Sequence, residues 1–212
     1  MIKHIETNDY IKMLETKIRD SSSSKTDIQE SLYALGYLIG IQVCSEYFLS
    51  DKKIQTPMKC DFNGKSLTES NNVIISTKDD YRLFASGITK SIKCNYQGFI
   101  DFNGSRGENI FKSPIRTIEL PDITNGKPID NVIIAKSVVA TGCTAISLAK
   151  KSLEKYMPRN LIIVSYFFSQ NGVNELNTAL PNADIYVSEK DDNIDASGML
   201  NPGVGNLDLR IK

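Results

Sequence analysis

The stretch Asn131-Val132-Ile133-Ile134-Ala135-Lys136-Ser137-Val138-Val139-Ala140-Thr141-Gly142-Cys143-Thr144-Ala145 decides the fold. After Asn131 its opening run, Val132 to Ala135, is continuously apolar and mostly β-branched, the pattern of a strand covered on both faces. A turn of small residues follows. Residues 144–156 then read as a helix with Ile146, Leu148, Ala149 and Leu153 on its inner face. The alternation repeats downstream: Leu161 to Phe168 is a second buried strand, 171–180 a second helix, and 183–187 a third strand. Buried strands alternating with helices predict an α/β fold with a parallel sheet and right-handed crossovers. Ligands of such sheets bind at the carboxyl ends of the strands, which puts the site near 136–144, 166–172 and 188–206.

Upstream of this region the pattern weakens. Residues 81–93 predict a helix, and pieces around 97–102 and 114–119 look β-like. Val73-Ile74-Ile75 marks another buried strand, and Lys53 to Pro57 an extended or turn segment. Residues 27–49 form a helix apolar on most sides (Leu32, Leu35, Leu38, Ile39, Ile41, Val43, Phe48), which needs cover from other elements or from a partner subunit. Thr26-Asp27-Ile28-Gln29 fits a capping box at its start. Residues 1–20 read as a polar, partly helical arm and Ser21 to Ser24 as a hinge, dividing the chain into an arm, 1–25, and a domain, 26–212.

Composition narrows the function classes. Twenty-five basic residues balance 25 acidic ones, so no net field draws in nucleic acid or an anionic membrane. Nothing resembles a signal peptide, and no run of about 18 apolar residues suggests a membrane span. Cys44, Cys60, Cys94 and Cys143 are widely spaced, which argues against a zinc site or a disulfide scaffold and for a cytoplasmic setting. The single histidine, His4, falls in a terminus read as mobile, so histidine catalysis is not expected, and no metal ligands are assigned.

The turn Val138 to Ala145 is where chemistry is expected. Small residues allow close backbone approach, and the first amides of the following helix lack internal partners and sit at the positive end of its dipole. The hydroxyls of Thr141 and Thr144 add donors, so the turn can cradle a phosphate. A plain helix start with Thr144 as N-cap fits the same residues. A reactive Cys143 at the helix start is the lesser reading beside a small residue that fits the turn. Pro202-Gly203-Val204-Gly205 likewise suits a surface turn.

Four collinear segments resemble the uracil phosphoribosyltransferase family. Ala140-Thr141-Gly142-Cys143-Thr144-Ala145 is similar to its A-T-G-G-T-A loop, which holds the 5-phosphate of phosphoribosyl pyrophosphate. Tyr37-Leu38-Ile39-Gly40 to Ile54-Gln55-Thr56-Pro57 resembles its N-terminal helix and V-x-T-P segment, and Ser169 to Leu176 its A-P-E-G-I-x-x-L turn. Pro181 to Tyr186, Asp191 to Asp195 and then Gly198 to Asn206 resemble its C-terminal hood. The resemblance implies a type I phosphoribosyltransferase-like parallel sheet flanked by helices, with an N-terminal helical arm and a C-terminal hood. It implies transfer of ribose 5-phosphate to uracil or a related base in a homodimer or higher oligomer. By position, Ala140, Thr141, Gly142, Cys143 and Thr144 hold phosphate, and the base meets Tyr186, Leu200, Gly205 and Asn206.

The departures bear on chemistry. Lys136 stands where the family has an acidic residue facing the ribose, and a lysine cannot accept from hydroxyls. The I-L-R-A-G pyrophosphate loop becomes Ser76-Thr77-Lys78-Asp79-Asp80, with Lys78 in the arginine's place and two acids that help only if Mg²⁺ intervenes. Arg106 aligns with the cation of the flexible Y-R-D-E segment, and Asn206 replaces the hood's aspartate. Mg²⁺ is thus implied by the family and opposed by Lys136. The alternative these changes raise is a catalytically impaired relative that binds a nucleotide such as UMP in a regulatory or assembly role.

Overall fold

A computed structural model describes residues 1–94, 96–102, 107–123 and 126–212. Its strands are β1 (Ile2–His4), β2 (Leu49–Gln55), β3 (Asp61–Leu67), β4 (Asn72–Thr77), β5 (Tyr96–Asp101), β6 (Thr117–Glu119) and β7 (Asn131–Ala135), followed by β8 (Val138–Val139), β9 (Asn160–Val164), β10 (Phe167–Phe168), β11 (Asp184–Val187), β12 (Glu189–Lys190), β13 (Asn193–Ile194) and β14 (Leu200–Asn201). The helices are α1 (Asp9–Arg19), α2 (Lys25–Tyr47), α3 (Lys78–Tyr81), α4 (Phe84–Ile92), α5 (Cys143–Lys155), α6 (Gln170–Ala179) and α7 (Leu207–Arg210).

Among the described residues the main sheet has the order β1-β11-β9-β7-β4-β5-β6. Every neighbour pair is parallel except β5–β6. Alternation along the strands sends Ile74, Ile133 and Ile162 to one face, where they join α1, α2 and α4 in a single core. Val73, Ile75, Val132, Ile134, Ile163 and Ile185 point to the other, packed with α5 and α6. Both faces are covered, which is why the middles of β4, β7 and β9 are uninterrupted apolar runs.

The predicted strand 161–168 is broken at Ser165-Tyr166. β7, β9 and β11 each bend at their carboxyl ends and continue as β8, β10 and β12 in a second sheet of order β12-β10-β8. These bends splay the chain open where the cavity lies. The helix expected over 81–93 is α4, and a one-turn helix, α3, precedes it.

Local details differ from expectation for identifiable reasons. Ser24, not Thr26, caps α2: its side chain accepts from the Asp27 N–H at 3.1 Å, so the serine run serves the helix start. On α5 Ile146, Leu148 and Ala149 are buried as expected, together with Ala145 and Ser152, but Leu153 is 37% exposed. The first 20 residues pack into the body of the fold. β1 adds a parallel strand beside β11, so His4 is held in the sheet, and Ile11, Leu14 and Ile18 of α1 are buried in the core. Residues 53–57 belong to a two-stranded hairpin whose partner strand, β3, the sequence did not announce. No helix among the described residues is long and apolar enough to cross a membrane.

Candidate active site

Loops from the carboxyl edge of the sheet, together with the segment 198–208, enclose a cavity of about 150 Å³. Thr77 to Asp79 come from the end of β4, Ile100 to Phe102 from the end of β5, and Lys136 to Ala145 from the β7–α5 connection.

The phosphate-loop candidate is shaped by its backbone. Gly142 sits at the N-cap of α5 with φ of +78°, and a Cβ there would fall 2.7 Å from the Gly172 carbonyl oxygen. Conformation and space both demand glycine. Thr144 is therefore not the cap; it lies in the first turn, and no side chain caps α5. The uncapped amides and the helix dipole open onto the cavity as an anion cradle. Ser169 fixes the loop from behind: its hydroxyl accepts from the Gly172 N–H at 2.9 Å, capping α6, and donates to the Ala140 carbonyl at 2.6 Å.

Charged residues line the opposite wall. The Lys136 ammonium lies 2.6 Å from Asp80, with the two side chains only 15% and 4% exposed. Asp80 also accepts from the Thr77 hydroxyl and the Ser137 N–H. Lys136 therefore does not add a lone positive charge beside the loop, since a buried carboxylate is paired with it. Burial opposes the charge on Lys136, but Asp80, with Asp208 and Asp79 beyond it, holds its pKa above the ordinary value. Burial, and then Asp208, push the Asp79 carboxyl above the usual carboxylate range. Lys78 lies 3.6 Å from Asp101, which Arg116 approaches to 3.7 Å.

Of the residues singled out from sequence, Ala140, Thr141, Gly142, Thr144, Lys78, Lys136, Leu200 and Gly205 all line this cavity. Three do not. Tyr186 is 1% exposed, packed in the core, with its phenol oxygen accepting from Lys3 at 3.0 Å. Its side chain belongs to the core and does not line the cavity, so proximity in sequence misplaced it. Cys143 is buried with its thiol 3.9 Å from the Thr141 carbonyl, and Asn206 stands at the N-cap of α7 outside the lining. Arg106 lies outside the described residues. Met199 and Val204, inside the expected hood, also line the cavity; Asp208 lines it unannounced, on a four-residue helix that no motif marks.

A parallel sheet with an uncapped helix start and a glycine-rich hood around one cavity is the architecture of a type I phosphoribosyltransferase. Residues 105–211 match the sequence pattern of the family described as Uracil phosphoribosyltransferase, and the chain belongs to that family. Curated relatives of that name resemble it over most of its length. The Thermococcus gammatolerans protein is 26% identical over 95% of this chain and 88% of its own, and the Methanococcus maripaludis protein 26% over 95% and 85%. The solved structure of the AQ2163 protein from Aquifex aeolicus shares the fold, with a TM-score of 0.79 at 20% identity, covering 100% of this chain and 97% of that one.

Proposed function

We propose that the protein transfers ribose 5-phosphate from phosphoribosyl pyrophosphate to uracil or a related base, forming the nucleotide and releasing pyrophosphate, in cytoplasmic pyrimidine salvage. The observation that carries this is that the uncapped α5 start and the hood residues Leu200, Val204 and Gly205 line one cavity. The amides and hydroxyls from Thr141 to Thr144 hold the 5-phosphate, Lys78 meets the pyrophosphate, and hood main-chain groups read the base edge. As the bond from the anomeric carbon to pyrophosphate breaks, positive charge builds on the ribose. Asp79 and Asp208, both on the cavity wall, can face that charge. Catalysis then consists mainly of positioning and electrostatic stabilisation.

Among the described residues no group of three or more metal-ligating side chains comes together. Mg²⁺ is commonly held by one or two carboxylates plus substrate phosphates, and Asp79 and Asp208 suit that arrangement. When bound, the ion would offset the negative charge of the pyrophosphate. The homodimer that the family resemblance implies has a candidate contact in Tyr33, Tyr37 and Ile41, a half-exposed apolar stripe at helical spacing on α2. Tyr37→Glu should shift the protein to monomer in sedimentation.

The test is UMP formation from uracil, phosphoribosyl pyrophosphate and Mg²⁺, followed by chromatography. Turnover supports the reading. UMP binding without turnover on uracil or other bases would replace it with the regulatory alternative.

A further inference from the structure

Hood residues Gly198 to Leu200, Val204 and Gly205 line the cavity, and two arginines that do not line it hold carbonyls of the same segment. Arg19, the last residue of α1, donates to the Gly203 carbonyl at 2.8 Å. Its guanidinium also meets both oxygens of Asp191, at 2.8 and 3.3 Å, and Glu15 at 2.7 Å, and lies over the Phe167 ring at 4.7 Å. Asp191 is 2% exposed. Arg210, on α7, donates to the next carbonyl, Val204, at 2.8 Å and to the Ile18 carbonyl at 2.6 Å. Two successive peptide units of the hood are therefore fixed to the end of α1, about 180 residues away in sequence. Neither arginine lines the cavity.

We propose that Arg19, with Arg210, is a positioning residue for base recognition, a role that rests on the phosphoribosyl-transfer reading of the cavity. A hood that reads a planar base with main-chain groups cannot correct an error by turning a side chain. Gly198, Gly203 and Gly205 all have positive φ, so this segment has much conformational freedom to lose. A planar guanidinium with several fixed donors can hold a carbonyl, two carboxylates and a ring at once, which an ammonium cannot. The phosphate loop is held separately, by Ser169 and Gly172. Base affinity and phosphate affinity should therefore be separable by substitution on α1.

The experiment is calorimetric titration of UMP and of ribose 5-phosphate into the wild-type protein, Arg19→Met, Arg19→Lys and Arg210→Met, each held well below its melting temperature. Arg19→Met should weaken UMP by about tenfold to a hundredfold, the cost of misplacing a site by a fraction of an ångström to an ångström. Ribose 5-phosphate affinity should stay near wild type, and Arg19→Lys should recover part of the UMP loss. Equal losses for both ligands, or unchanged UMP binding, would overturn the inference. Should Arg19→Met not fold, removing both charges in Arg19→Met with Asp191→Leu, or Arg210→Met alone, makes the same comparison. A wild-type protein that binds neither ligand would overturn the reading of the cavity; one that binds both without selective loss in the variants would overturn the arginine role alone.

Discussion

Replacing Gly142 by alanine puts a methyl group where the backbone and its neighbour leave no room. The φ of +78° is left-handed, costing an L-residue about 1–2 kcal/mol. The new Cβ would sit 2.7 Å from the Gly172 carbonyl oxygen, so the loop or α6 must move, at a further cost of about 1–3 kcal/mol. Against this, alanine restricts the unfolded chain and returns about 0.4–1 kcal/mol. The net loss is about 1–5 kcal/mol, or very roughly 2–20 °C in melting temperature at about 2–4 °C per kcal/mol for a domain of this size. Gly198 is the internal control, since its φ is +80° but nothing lies within 4 Å of its Cβ position. Gly198→Ala carries only the conformational cost, so the two variants should differ by the clash, about 1–3 kcal/mol in urea unfolding. Ribose 5-phosphate affinity should fall on the order of a hundredfold in Gly142→Ala as the amides shift, and stay near wild type in Gly198→Ala. Equal stability of the two variants, or an unshifted phosphate affinity in Gly142→Ala, would refute the close-approach argument.

Ser169→Ala removes a helix cap and the bond to Ala140 together; a stability loss of about 1 kcal/mol by denaturant titration, with weaker ribose 5-phosphate binding, is expected. Lys136→Met leaves Asp80 buried without its cation and should cost about 3–5 kcal/mol, much of it recovered when Asp80→Asn is added; urea midpoints of the single and double variants test this. Asp79→Asn should raise the melting temperature at pH 7. A carboxyl whose folded pKa is raised gives its full stability below its unfolded value and loses it as pH rises through the folded value, so at pH 7 the wild type bears the whole penalty. The advantage of Asn should shrink as pH falls towards the ordinary carboxylate value of 3.8, and an advantage unchanged across that range would contradict the cause assigned to the shift.

The central strands were legible because burial on both faces leaves an uninterrupted apolar run in sequence, as in Val132 to Ala135 and Leu161 to Val164. The place of the β7–α5 turn on the cavity was legible because loops at the carboxyl ends of parallel strands gather around ligand sites. β1 was not, since Ile2-Lys3-His4 is too short to show a period and its partner, β11, lies at the far end of the chain. β3 was missed because Asp61-Phe62-Asn63-Gly64 is poor in strand formers, and only pairing with β2 makes it extended. The roles of Lys136 and Asp208 turn on contacts across the fold. A lysine aligned with an acid says nothing of the aspartate buried against it, and a polar residue on a short terminal helix says nothing of the cavity it faces.

The docking of β1 and α1 has a consequence for the timing of synthesis. Ile2 pairs with Ile185, and Arg19 with Asp191 and Gly203, so β1 and α1 wait for segments made about 180 residues later before they can settle. At about 5–20 residues per second, some 180 residues take roughly ten to forty seconds to translate. Throughout that interval Ile11, Leu14 and Ile18 lack their final cover, which makes the nascent N-terminal helix a natural client for a ribosome-bound chaperone.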